Sequence, residues 1–230
     1  MKLFKRKQDH HISNVALEQM EFHDHFDQNV IFIARNEKPE IQGTIHICLT
    51  NESLEKEMEE LKTQYPKDEI TCTQSVLGLA IDYALQQHLV LMMHGFSPMP
   101  LMITAQDLEP IRDIVDSFCI MYAYARNRMP LAKAYSLLEK KSFYYIGEPF
   151  TVESTTFSVE VMQRSMENQR QYQSVKLFLN EDSANQYNKE SHPISVGVLS
   201  DLYEMWKGMY GLIIEPHRNF WVEFGVDELK

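Results

Sequence analysis

Residues 210–229 read YGLIIEPHRNFWVEFGVDEL, and residues 88–108 read HLVLMMHGFSPMPLMITAQDL. Each has a helix end, an apolar run, a turn broken by proline, a second apolar run and an acidic-Leu ending. Laid over one another, Leu89–Met93 meets Gly211–Glu215 at an offset of 122. A helix-period stripe precedes both runs: Leu77, Ile81, Ala84, Leu85 and His88 in the first, and Leu199, Leu202, Trp206 and Met209 in the second. Steps of three and four place each set on one helical face.

The likeness extends upstream. GTIHICLTNESLE (43–55) lies over QSVKLFLNEDSAN (173–185) at an offset of 130, with Ile45, Ile47 and Leu49 opposite Val175, Leu177 and Leu179. This period of two predicts a strand with one buried face. Thr50 or Asn51, and Asn180, then stand where a helix N-cap oxygen is wanted, with Glu52, Glu181 and Asp182 near the positive end of the helix dipole. VIFIARNE (30–37) answers FYYIGEPF (143–150) at an offset of 113, each preceded by a helical segment, VALEQMEFHDHFDQ (15–28) or PLAKAYSLLEKK (130–141). Pro130 suits the first turn of the latter.

The shifting offset locates the insertions. Copy two gains about seventeen residues between its first two strands, and copy one about eight in its helix region, changes that loops and hairpins absorb at low cost. The extra residues of copy two include TTFSVEVMQRS (155–165), whose alternation predicts an added strand or a lengthened hairpin. Copy one carries the longer helix LEKEMEELKTQYP (54–66), its charged residues assigned to the outer side. AQDLEPIRDIVDSFCIMYAYARNR (105–128) reads as a helix joining the copies with no Gly or Ser-rich linker.

The expected fold is therefore α+β: two tandem similar modules, each a small mixed or antiparallel sheet with flanking helices. Its divisions are a basic arm at 1–14, a first module at 15–110, a connecting helix at 111–128 and a second module at 129–230.

The order of helix, strand, strand with a capped acidic helix, and GL-I-I-x-P before a last strand resembles the SseB amino-terminal domain family. LFLNEDSA (Leu177–Ala184), GLIIEP (Gly211–Pro216) and PLAKAYSLLEKKSFYYIG (Pro130–Gly147) carry the resemblance, with ICLTNESL (Ile47–Leu54) as the first-copy counterpart. Copy one departs in having MMHG where copy two has IIEP. The resemblance implies an α+β module with no assigned reaction and no catalytic residues to carry over.

Composition narrows the function. The formal net charge is −11, spread along the chain, so counterion release on nucleic acid is an unsuitable driving force. Lys2, Lys5, Arg6 and Lys7 form a basic cluster followed by no apolar signal segment, and read as a frayed arm. No apolar run reaches the ~18 residues of a membrane span. Cys48, Cys72 and Cys119 match neither a disulfide framework nor a CxxC zinc pattern. The expectation is a cytoplasmic protein with no membrane or nucleic-acid partner.

Candidate chemistry is sparse. His23 and His25 of FHDHF would point about 200° apart on a helix and cannot share an ion. His46 and Cys48 fall on one face of a strand, where a Cys–His pair serves as nucleophile and base or as half a metal site. The second copy has Lys176 and Phe178 there, which favours a semi-exposed packing face. His94 stands near Ser97 in HGFSP without a GxSxG elbow. His88 at a helix C-terminus reads as a core or capping histidine. The catalytic candidates are thus His46, Cys48 and His94, with no metal site and no cofactor expected.

On the final strand Phe220, Val222 and Phe224 share a face, leaving Trp221 and Glu223 as binding candidates on the other, although packing within the chain is the favoured use of Trp221. The sequence therefore points to a non-catalytic protein-interaction component, immunity- or chaperone-like, with an unidentified protein partner. The alternatives are a hydrolase-type enzyme or a small-ligand sensor with a site between the modules.

Overall fold

Strands form where the apolar residues alternate, and helices where a capped segment lays an apolar stripe on them. The computed structural model describes residues 25–95, 99–149, 158–165 and 171–226. The basic arm, most of the first helical segment with His23, Ser97, and residues 155–157 of the copy-two insertion lie outside them. The chain divides into two compact units, 1–115 and 116–230.

In unit 1, β1 (Asn29–Arg35), β2 (Thr44–Cys48), β3 (Ile70–Val76), β4 (Val90–His94) and β5 (Leu101–Ile103) form a mixed sheet in the order β3-β1-β2-β4-β5. Only β2 and β4 run parallel. Helix α1 (Asn51–Gln64) follows β2, and α2 (Leu77–Gln87) follows β3. Thr50 caps α1, accepting from Ser53 N–H while the Ser53 hydroxyl returns to the Thr50 backbone N–H, so the first turn starts with its donors satisfied. Val30, Phe32, Ile45, Ile47, Leu91 and Met93 are buried, as is the inner stripe of α2 from Leu77 to Leu85. A smaller apolar cluster of Ile33, Ile41, Cys48, Leu61 and Ile70, with Leu54 and Met58 of α1 packed on it, forms elsewhere in the unit.

Beyond β5 come α3 (Ala105–Leu108), a 3₁₀ turn (Glu109–Ile111) and α4 (Arg112–Ala125), which carries the division between units. The single connecting helix expected from 105 onward is broken at Pro110, which has no N–H for an α-helical bond and sits in the 3₁₀ turn.

In unit 2, α5 (Leu131–Leu138) leads into β6 (Ser142–Ile146). Next come β7 (Val161–Ser165), β8 (Gln171–Phe178), α6 (Glu181–Tyr187), β9 (Ile194–Val198), α7 (Leu199–Trp206), β10 (Gly211–Ile214) and β11 (Val222–Phe224). The sheet order is β11-β10-β8-β6-β9, with β7 paired to β8. Taken strand for strand, this is the order of unit 1. The registers agree too: Ile31↔Cys48 is matched by Tyr144↔Phe178, Asn29↔Val76 by Ser142↔Val198, and Ile47↔Met93 by Leu177↔Ile214. The inserted residues of copy two build β7, an antiparallel hairpin arm on β8.

One offset needs correction. α2 and α7 stand 122 residues apart, but Leu91 and Leu212 occupy equivalent ladder positions, so β4 and β10 stand 121 apart. The slipped residue lies after α2, where His88 takes a left-handed conformation (φ 53°) and its backbone N–H turns back to Ala84 and Leu85 carbonyls. His88 caps the helix through its backbone, and its side chain is exposed rather than in the core. In the corrected register His94 corresponds to Glu215. Among the described residues, no helix is long and apolar enough to cross a membrane.

Candidate functional site

His46 sits in mid-β2 and Cys48 at its end, two residues apart on one face. In the parallel ladder Cys48 pairs with His94, the last residue of β4. His94 and His46 are therefore diagonal neighbours on one face, within reach of each other's imidazoles. Ser53, Glu57 and Leu61, four residues apart, line up along the side of α1 turned to the sheet. Ser53 lies against the end of β4, Leu61 enters the apolar cluster, and Glu57 falls between them, over the histidines.

The result is a buried trio: His46, Glu57 and His94 are 8%, 9% and 7% exposed. His46 Nδ1 lies 2.9 Å from Glu57 Oε1, and His94 Nδ1 lies 3.3 Å from Glu57 Oε2. His94 Nε2 and His46 Nδ1 are 3.3 Å apart, with the rings nearly parallel at 14°. Burial pushes the Glu57 carboxyl up, but the hydrogen bond from His46 and the charges of both histidines outweigh it and hold the group below its ordinary range. Burial lowers His94, against the opposing pull of Glu57. The Glu57 position was missed by the sequence reading, which put the charges of α1 on its outer side.

Glu57 and His94 line a pocket of about 380 Å³ together with Thr50, Ser53, Lys56, Gly95 and Pro100, while His46 reaches it only through its contacts with those two. Gly95 has φ +90°, and a Cβ there would stand 2.8 Å from Ser53 Oγ, so this close approach of the chain to α1 requires glycine. A hollow of about 540 Å³ elsewhere on α1 is lined by residues of that helix alone and brings no distant groups together.

Cys48 does not join the trio. It is fully buried in the apolar cluster with Ile33 and Leu61, and burial pushes its thiol up to about 11 against the hydrogen bond with Ser53. His46 and Cys48 are thus both buried, not semi-exposed as the comparison with Lys176 and Phe178 suggested.

The same niche exists in unit 2 with other contents. Lys176, Tyr187 and Glu215 take the places of His46, Glu57 and His94. Lys176 pairs with Glu160, and Tyr187 stacks on His217 at 3.9 Å beside a pocket of about 290 Å³. The Glu215 carboxylate accepts from Leu179 N–H at 2.8 Å. In unit 1 the corresponding N–H, of Leu49, goes to the backbone carbonyl of His94 at 3.0 Å. The imidazole of His94 is therefore left to face Glu57.

Trp221 and Glu223 part company. The Glu223 carboxylate receives Arg164 through Nε and Nη2, the hydroxyl of Tyr172 at 2.8 Å and that of Ser174 at 2.9 Å. It is an internal anchor between β11 and the β7–β8 hairpin. Trp221 is 40% exposed with the Arg164 guanidinium over its ring at 5.3 Å, so it stays at the surface.

No family model and no curated protein matches this chain. Among solved structures, Tic22 from Plasmodium falciparum is similar over 79% of this chain and 84% of its own, at 12% identity and a TM-score of 0.27, a likeness too slight to bear on fold or activity.

Proposed function

We propose that this chain is a non-catalytic binding protein of two SseB-like modules, acting in the cytoplasm on a protein partner rather than on nucleic acid. Module 1 binds through the polar pocket between α1 and the end of β4. The observation that carries the reading is the make-up of the pocket wall. The Glu57 carboxylate and the His94 imidazole line it, both in contact with His46, while Cys48, the nucleophile candidate, is packed in the apolar cluster. Binding that neutralises or chaperones the partner is the form of activity we favour. The strand, capped helix, strand order behind the SseB resemblance recurs in both units, which supports the kinship.

The test is affinity capture from the source cell with the full chain as bait, beside a charge reversal at the exposed pocket mouth, Lys56→Glu. The reading expects a stoichiometric protein whose yield falls about tenfold in the variant, as a lost charge contact of ~1.4 kcal/mol would give. A chain that recovers no such protein, or one indifferent to Lys56, would reject it.

A small-ligand sensor is the second reading. The pocket's 380 Å³ lies within the ~300–1,000 Å³ of small-molecule sites. A metabolite panel that raises the melting temperature of the wild type but not of His94→Gln would favour it over a protein partner.

A further inference from the structure

We infer that module 1 holds a borderline divalent transition-metal ion of the zinc class on His46, Glu57 and His94. This deepens the binding reading by naming what the pocket takes, and it rests on that pocket being a binding place. Each of the three residues offers one ligand atom, all within 4.8 Å of one another. A tetrahedral zinc with bonds of about 2.0–2.1 Å sets neighbouring ligand atoms about 3.3 Å apart. His46 Nδ1 stands 2.9 Å from Glu57 Oε1 and 3.3 Å from His94 Nε2, two separations near that value, whereas the 3.3 Å approach of His94 to Glu57 Oε2 is made by its other ring nitrogen, Nδ1. To close the set on an ion, one nitrogen of His94 must serve both neighbours, which takes a reorientation of its ring or of the Glu57 carboxylate within the 4.8 Å that spans the donors.

The chemistry of the donors selects the ion. Two neutral imidazoles and one carboxylate suit zinc and its neighbours, whereas calcium and magnesium seek six or more oxygens. Two ring nitrogens that face each other beside a carboxylate are held together by a shared proton or by a cation. Two adjacent parallel strands and a helix fixed by its capping box set the three donors before any ion arrives. Glu57 and His94 line the pocket, so an ion they held would be open to solvent from that side.

The fold does not demand these residues. Unit 2 builds the same strands and helix with Lys176, Tyr187 and Glu215 in their places, and none of the three pairs there reproduces the trio. The trio therefore needs an explanation other than architecture.

The experiment is a zinc titration of the full chain, stripped with a chelator, in competition with a chromogenic chelator, followed by cobalt substitution. The wild type is expected to take up one equivalent of zinc, and its cobalt form to show tetrahedral bands without a thiolate charge-transfer band. Glu57→Gln and His94→Gln, with far-ultraviolet spectra unchanged, should each weaken binding about 1,000-fold, beyond the roughly 10–100-fold that outer-shell changes usually cost. Exposed His192→Gln should leave it unaltered. Absence of a saturable equivalent, wild-type affinity in both variants, or a thiolate band would overturn the proposal. A chain that binds zinc yet captures no partner rejects only the partner reading, and one that captures its partner without zinc rejects only this one.

Discussion

Gly95 is the residue on which the pocket mouth depends, because α1 comes so close that no side chain fits and φ is +90°. Gly95→Ala should lower stability by on the order of 1–3 kcal/mol in urea unfolding, from strain and from the displaced Ser53. The cysteines offer a second check. Cys48 is buried with a thiol near 11 while Cys72 is exposed, so a thiol reagent at neutral pH should label Cys72 at once and Cys48 only when the unit opens. In unit 2, burial and then the Glu223 carboxylate raise Tyr172 from 10.0 to about 12. The folded chain keeps that proton longer than the unfolded one. Its stabilising share is intact below pH 10 and is lost as the pH climbs to about 12. Alkaline denaturation of Tyr172→Phe should therefore be flatter across that window. At this scale the sequence disclosed His46 and Cys48 as face-mates, since alternation alone settles that. It hid Glu57, because a carboxylate on an amphipathic helix looks solvated until the sheet beneath it supplies imidazoles.

Caps and hairpins govern the elements. Thr50 and Asn180 accept from the N–H three residues on, at Ser53 and Ser183, and Thr50→Ala or Asn180→Ala should each cost about 1 kcal/mol by denaturant titration. Arg164 fastens β7 to Glu223 of β11, with both side chains largely covered. Arg164→Met should cost about 1 kcal/mol, and amide exchange should quicken in β7 rather than in β6. Strands and capped helices were readable from period and cap residues. The slip after α2 was not, since Leu89–Met93 is apolar throughout and accepts either register. Only the ladder partners Leu91 and Leu212 decide between offsets of 121 and 122. The break at Pro110 was readable in principle, yet the apolar spacing on either side of it continues a helical period and masks it.

For the whole molecule, the duplicated rhythm was legible because each strand and helix recurs in the same order, and the two sheets carry the same strand sequence. What the doubled pattern could not reveal is that a repeated scaffold need not repeat its chemistry, since the pocket residues come from three separate elements with no local signature. Two niches of one design, filled differently, make the second a recipient for a graft. Lys176→His, Tyr187→Glu and Glu215→His together would transplant the His46–Glu57–His94 set. The graft would also take from Leu179 N–H its carboxylate acceptor, a loss unit 1 avoids by using a backbone carbonyl. Such a chain would be a monotopic protein turned homoditopic, and the stoichiometry of its cargo would report whether geometry by itself confers affinity.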